Sequence, residues 1–154
     1  LRQARLQAHR QDAMSEYDSD ILSWSEHQSA LLRRLARGEQ VNAQIDWENV
    51  AEEIESVGRD QLHAVHSLLR QALIHMLKAD AWPESRDAPV WRADAINFRT
   101  QAADRFAPSM RQRINLARIY QQARRAVPAT IDGMAPLPLP PGCPFTLDAL
   151  LAED

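Results

Sequence analysis

Glu48, Glu52 and Glu55 are the residues of this chain whose type and spacing most directly suggest chemistry. On a helix, about 100° per residue sets these three carboxylates in one sector beside an apolar face. Such a ridge can hold a cation or grip a guanidinium. Metal sites in helical bundles draw Glu-x-x-His pairs from facing helices, and the chain contains no Glu-x-x-His. The expected role is a favourable position near a helix N-terminus, with arginine pairing. No metal ligand and no cofactor are assigned.

His63, His66 and His75 follow on the next helical stretch. Asp60, His63 and His66 are three apart, and each step drifts by about 60°, too wide an arc to converge unaided. His66 sits at the edge of an apolar stripe, where a hydrogen-bonded core histidine is expected. His75 lies on another flank, across from Lys78. A general base needs an orienting partner and a pocket. Spacing supplies neither, so no catalytic residue is assigned.

Cys143, in Gly-Cys-Pro, reads as a small buried hydrophobe. Gly-x-Ser-x-Gly is absent, and four scattered glycines build no phosphate-cradling loop. Arg111, Arg118 and Arg125 recur every seven residues, with Arg113 and Arg124 on a second flank. Such rows can follow a phosphate backbone. The aromatic residues, however, fall on core faces, away from base stacking, so a solvated or acid-paired face is expected.

The elements that would position these groups are helical. Residues 1–13 form helices readily but hold only two large apolar side chains, so they are expected to be a loose leader ahead of a single helical domain over 14–154. A first helix starts at Ser19 or Asp20, buries Ile21, Trp24, Leu31, Leu32 and Leu35 with Gln28 interrupting, and stops at Gly38. Asp46 caps a second, on which Trp47, Val50, Ala51 and Ile54 recur at helical spacing, and Gly58 breaks or kinks it. A third, from about Arg59 to Ala79, carries the widest apolar stripe and is central. Trp82-Pro83 closes it. A fourth is capped by Asp87 with Pro89 in its first turn, and faces inward through Trp91, Ala95, Phe98, Ala102 and Phe106. A capping box at Ser109–Gln112 opens a fifth, with Leu116, Ile119, Tyr120, Ala123 and Val127 inward. Five of the nine prolines lie between Pro136 and Pro144, an extended segment before a short helix capped by Thr146. The fold class is all-α, a compact bundle of about four main helices.

Composition limits the classes of function. The 154 residues are 45% apolar and 25% charged, enough for a real core. No uncharged run is long enough to span a bilayer, and no basic start leads into an apolar stretch. One cysteine excludes an internal disulfide. Net charge is −3, yet Asp12 to Asp60 holds twelve acids against four arginines, and Arg86 to Arg125 nine arginines against three aspartates. Seventeen of the eighteen basic residues are arginine, the better bidentate partner for carboxylates. Complementary packing of the two halves is the expected reason.

The stretch Asp46-Trp47-Glu48-Asn49-Val50-Ala51-Glu52-Glu53-Ile54-Glu55-Ser56-Val57-Gly58-Arg59 resembles the signature of a bacterial family, domain-of-unknown-function family twenty-nine. The likeness continues through Leu73–Lys78, Trp91-Arg92 and Cys143–Leu147, covering about Tyr17 to Asp154. Trp82-Pro83 and the proline-rich stretch near 136–141 depart from it. The resemblance implies a small cytoplasmic helical protein and no established activity. The leading reading is a non-enzymatic protein-interaction or scaffold module, possible self-association included, with Glu48, Glu52, Glu55, His75, Trp91 and Arg92 as candidate binding residues. A metal-dependent or acid–base enzyme using Glu52, Glu55 and His75 is the alternative. Nucleic-acid binding through the arginine rows ranks below both, and no membrane partner is expected.

Overall fold

The computed structural model describes residues 1–152, so the last two residues of the expected domain 14–154 lie outside the described residues. Six α-helices follow in order: α1 (Arg2–Ser19), α2 (Ile21–Ala36), α3 (Trp47–Ala81), α4 (Ala88–Arg105), α5 (Leu116–Ala126) and α6 (Leu147–Leu151). Two 3-10 turns, Asn42–Gln44 and Pro108–Arg113, precede α3 and α5. The described residues form no strand, only an isolated bridge between Ile131 and Met134. Asp132 and Gly133, both at positive φ, turn the chain there. The all-α reading holds.

Contacts gather into two compact units, Leu1–Gly58 and Arg59–Asp154. In the first, residues 2–13 lie within α1, which runs on to Ser19. Tyr17 gives it an anchor that leucine counting overlooks. Its ring meets Trp24 edge-on at 4.9 Å, and its hydroxyl donates to Glu53 at 2.6 Å. Asp20 caps α2 by accepting from the Ser23 N–H. Gly38, at φ +89°, ends it: its N–H reaches the Leu35 carbonyl while Glu39 N–H reaches Arg34, a Schellman closure that favours glycine. Trp24, Ile45 and Val50 form the core. Gln28, read as an interruption of the apolar face, is buried and accepts the Asp46 N–H at 2.8 Å. Ile21, read as inward-facing, is exposed.

α3 corrects a second expectation. Gly58 does not break it, and the two helices expected from 46 to 79 are one helix of 35 residues. A helical glycine costs about 1 kcal/mol against alanine, small beside the burial of Val65, Leu69, Leu73 and Leu77 further along.

In the second unit those residues pack with Ala102, Ile119, Tyr120, Ala123 and Leu150. Ala79, Ala81, Trp82, Ala88 and Trp91 form a second cluster. α5 starts later than expected: Pro108–Arg113 is a 3-10 turn, and Asn115 rather than Ser109 caps the helix, accepting from Arg118 N–H. Asp87 stands at the start of α4 without a side-chain capping bond. Prolines lack an N–H but keep an accepting carbonyl. The extended segment is accordingly tied down through its carbonyls: Pro140 accepts from Tyr120 Oη at 2.6 Å, and Pro141 from Gln121 Nε2 at 2.7 Å. Thr146 caps α6 as expected.

Candidate functional site

The expected binding residues do not form one cluster. Glu48, Glu52 and Glu55 are exposed on the first turns of α3. Glu53, outside their sector, takes the Tyr17 hydroxyl and pushes that phenol up to about 12, burial adding to the effect. Asp46 is occupied too, accepting from Trp24 Nε1 at 3.1 Å and from Asn49 Nδ2 at 2.8 Å. The family-like stretch is thus partly a structural junction. Trp47 donates its Nε1–H to the Asn42 carbonyl at 3.1 Å.

The apolar face of that stretch is mostly uncovered. Val50 is buried, but Trp47 is 43% exposed, Ile54 68% and Val57 65%. At about 100° per residue, Trp47, Ala51 and Ile54 form a stripe, with Val57 on one edge and Glu48, Glu52 and Glu55 on the other. Periodicity marks this face as core. The structure leaves it outward.

Glu55 belongs to the first unit and His75 to the second. His75 Nδ1–H donates to the Gln71 carbonyl at 2.8 Å, which leaves Nε2 facing Asp94 at 3.6 Å, beside the Phe98 ring. Trp91 is buried in the second cluster, and Lys78 lies 4.5 Å over its ring. Arg92 is exposed. Cys143 packs against the core, its thiol donating to the Phe145 carbonyl at 3.4 Å. Among the described residues, no group of three or more His, Cys, Asp or Glu could hold a metal ion.

Two concavities deserve comparison. In the first unit, a shallow groove of about 610 Å³ is lined by His9, Asp12, Glu16, Asp20 and His27 among others. Glu16 accepts from Ser23 Oγ and pairs with His27 Nδ1 at 3.0 Å. The His27 and Ser23 hydrogen bonds hold the Glu16 carboxyl below its ordinary value, and Glu16 raises His27. These groups satisfy one another.

The second unit holds a more recessed cleft of about 420 Å³ between α3 and the start of α5. His63, His66, Ser67 and Arg70 line it from α3, and Arg113 and Arg118 from the other wall. No carboxylate lines it. His66 is not the hydrogen-bonded core histidine expected, because its Nε2 is shielded from solvent and without a partner. His63, His66, Arg113 and Arg118, set aside separately in the sequence, are here brought together with Ser67 and Arg70. Four of them occupy one face of α3 at 63, 66, 67 and 70, spacing that could have flagged a shared wall.

The family model described as "Domain of unknown function DUF29" matches residues 16–154. Among curated proteins, none matches this chain. Among solved structures, the crystal structure at 1.45 Å of an α-helical protein of unknown function from Rhodospirillum rubrum is similar, at 30% sequence identity and a TM-score of 0.66 over 90% of each chain.

Proposed function

We propose that this chain, which belongs to the DUF29 family, is a non-enzymatic interaction module that docks a partner protein on the outward face of the first turns of α3. The observation that carries the reading is the exposed stripe of Trp47, Ile54 and Val57 edged by Glu48, Glu52 and Glu55. Contiguous apolar side chains rimmed by polar ones suit protein recognition. An amphipathic helix laid in register, with apolar anchors and a basic edge, complements both parts. His75, Trp91 and Arg92 belong to other surroundings on α3 and α4 and would act apart from this face. The bacterial cytoplasm is the setting the family likeness suggests, and it suits a lone cysteine.

A photo-reactive amino acid at position 54 tests the reading in cells. The expected outcome is one dominant adduct with a basic protein, abolished by Glu48→Lys, Glu52→Lys and Glu55→Lys together. Adducts no different from those made at the exposed control Gln101 would overturn it. The enzyme alternative has no comparable observation behind it: Glu52 and Glu55 belong to the first unit and His75 to the second.

A further inference from the structure

We propose that the cleft between α3 and the start of α5 binds a small phosphate monoester, with a compact polar carrier such as a sugar. The inference stands apart from the docking face and does not depend on it.

Three guanidiniums, from Arg70, Arg113 and Arg118, line one concavity of about 420 Å³ whose lining contains no acid. None of the three makes a described ion pair, whereas Arg111, two residues from Arg113, pairs with Asp148 at 2.8 Å. Like charges gathered without a counter-charge repel, and an anion relieves that repulsion. A phosphate dianion matches the fork geometry of arginine, which offers two parallel donors to two oxygens. The cleft also abuts the N-terminal end of α5, through Asn115 and Arg118, where the helix dipole adds positive potential.

Neutral polar groups complete the wall. Ser67 offers a hydroxyl, Asn115 and Gln122 offer amides, and His66 brings a buried ring nitrogen with no partner of its own. This is the donor and acceptor set that hydroxyls of a carrier need. Ile119 is the one aliphatic lining residue, and no Trp, Tyr or Phe lines the cleft. For a nucleobase or a single strand the cleft offers only the imidazoles of His63 and His66 and the guanidinium planes as stacking surfaces, with no large aromatic ring. The volume lies in the range of small-molecule pockets.

Calorimetric titration of the full chain with inorganic phosphate, glucose 6-phosphate and a single-stranded oligonucleotide tests the assignment. Saturable binding of glucose 6-phosphate, tighter than that of inorganic phosphate, is expected. Arg70→Gln and Arg118→Gln should each weaken it about tenfold or more without changing the melting temperature, while Arg111→Gln leaves affinity unchanged. The side-chain nitrogen resonances of His66 should shift on adding the sugar phosphate and stay put in Arg70→Gln/Arg118→Gln. Inorganic phosphate binding as tightly would reduce the site to a phosphate site and overturn the carrier. Absence of saturable binding by either phosphate, or binding indifferent to the double variant, would overturn the site itself. Oligonucleotide binding that glucose 6-phosphate does not displace would assign the cleft to nucleic acid instead.

Discussion

The C-terminal edge of the second unit and its cleft use the same side chain in opposite ways. Along the edge, Arg99 donates to the carbonyls of Ala149, Leu150 and Ala152 at 3.0 to 3.3 Å, Arg111 pairs with Asp148, and Arg124 reaches the Pro141 carbonyl at 3.3 Å. These guanidiniums hold the terminal segment in place. Around the cleft, Arg70, Arg113 and Arg118 share a lining that contains no carboxylate. An arginine row is therefore informative only after its partners are known.

The largest effect expected on this contrast comes from removing what the edge secures. Leu150 is fully buried in the main core, so Leu150→Ala should cost about 3 kcal/mol in chemical denaturation. Arg99→Ala should cost about 2 kcal/mol, since it strips charged donors from several helix-end carbonyls. Arg70→Gln and Arg118→Gln, by contrast, should stay within about 0.5 kcal/mol of the parent protein. Equal losses at both sets would erase the distinction.

Gly58 gives a smaller effect of opposite sign. It is helical and exposed, and an added Cβ would meet nothing within 4 Å. Gly58→Ala should raise stability by about 0.5 to 1 kcal/mol. A loss would mean that residue 58 is not helical in solution.

Tyrosine titration extends the contrast to groups that are fully occupied. Glu53 pushes Tyr17 up to about 12, and burial raises Tyr120. Absorbance at alkaline pH should show neither phenol ionising near 10 while the fold persists. A raised phenol contributes stability below its unfolded value, and that contribution is lost as pH climbs through the folded one. Tyr17→Phe should remove one of the two steps and leave that of Tyr120.

The smallest effect concerns Glu16 and His27, both near the surface. Glu16 is lowered from 4.5, so its contribution is present above that pH and fades as pH falls through the folded value. His27 is raised from 6.5, so its contribution is complete below that pH and disappears as pH rises through the folded value. Their pairing should be strongest between about 4.5 and 6.5 and vanish in His27→Ala, as read by the pH dependence of thermal unfolding.

Much of the fold was legible beforehand because helix signals are local. Asp20, Gly38, Trp82-Pro83 and Thr146 act through their own turn, so their boundaries could be read from residue type. Errors arose where the deciding energy was not local. Gly58 signals a break by itself, yet a long buried continuation outweighs it. Gln28 looks like a flaw in an apolar face until the Asp46 amide is seen to need its oxygen. Tyr17, too, matters through Trp24 and Glu53 rather than through its neighbours in sequence.

Amino-acid order alone determined the all-α class, the central apolar stripe of α3, the caps at Asp20 and Thr146 and the family likeness, because periodicity and capping act within a few residues. Only the tertiary structure decided which charged groups are already satisfied, that the Trp47–Ile54 face points outward, and that His66, Arg70 and Arg118 share one cleft. Burial and charge pairing depend on distance in space, and residues far apart in sequence set that distance.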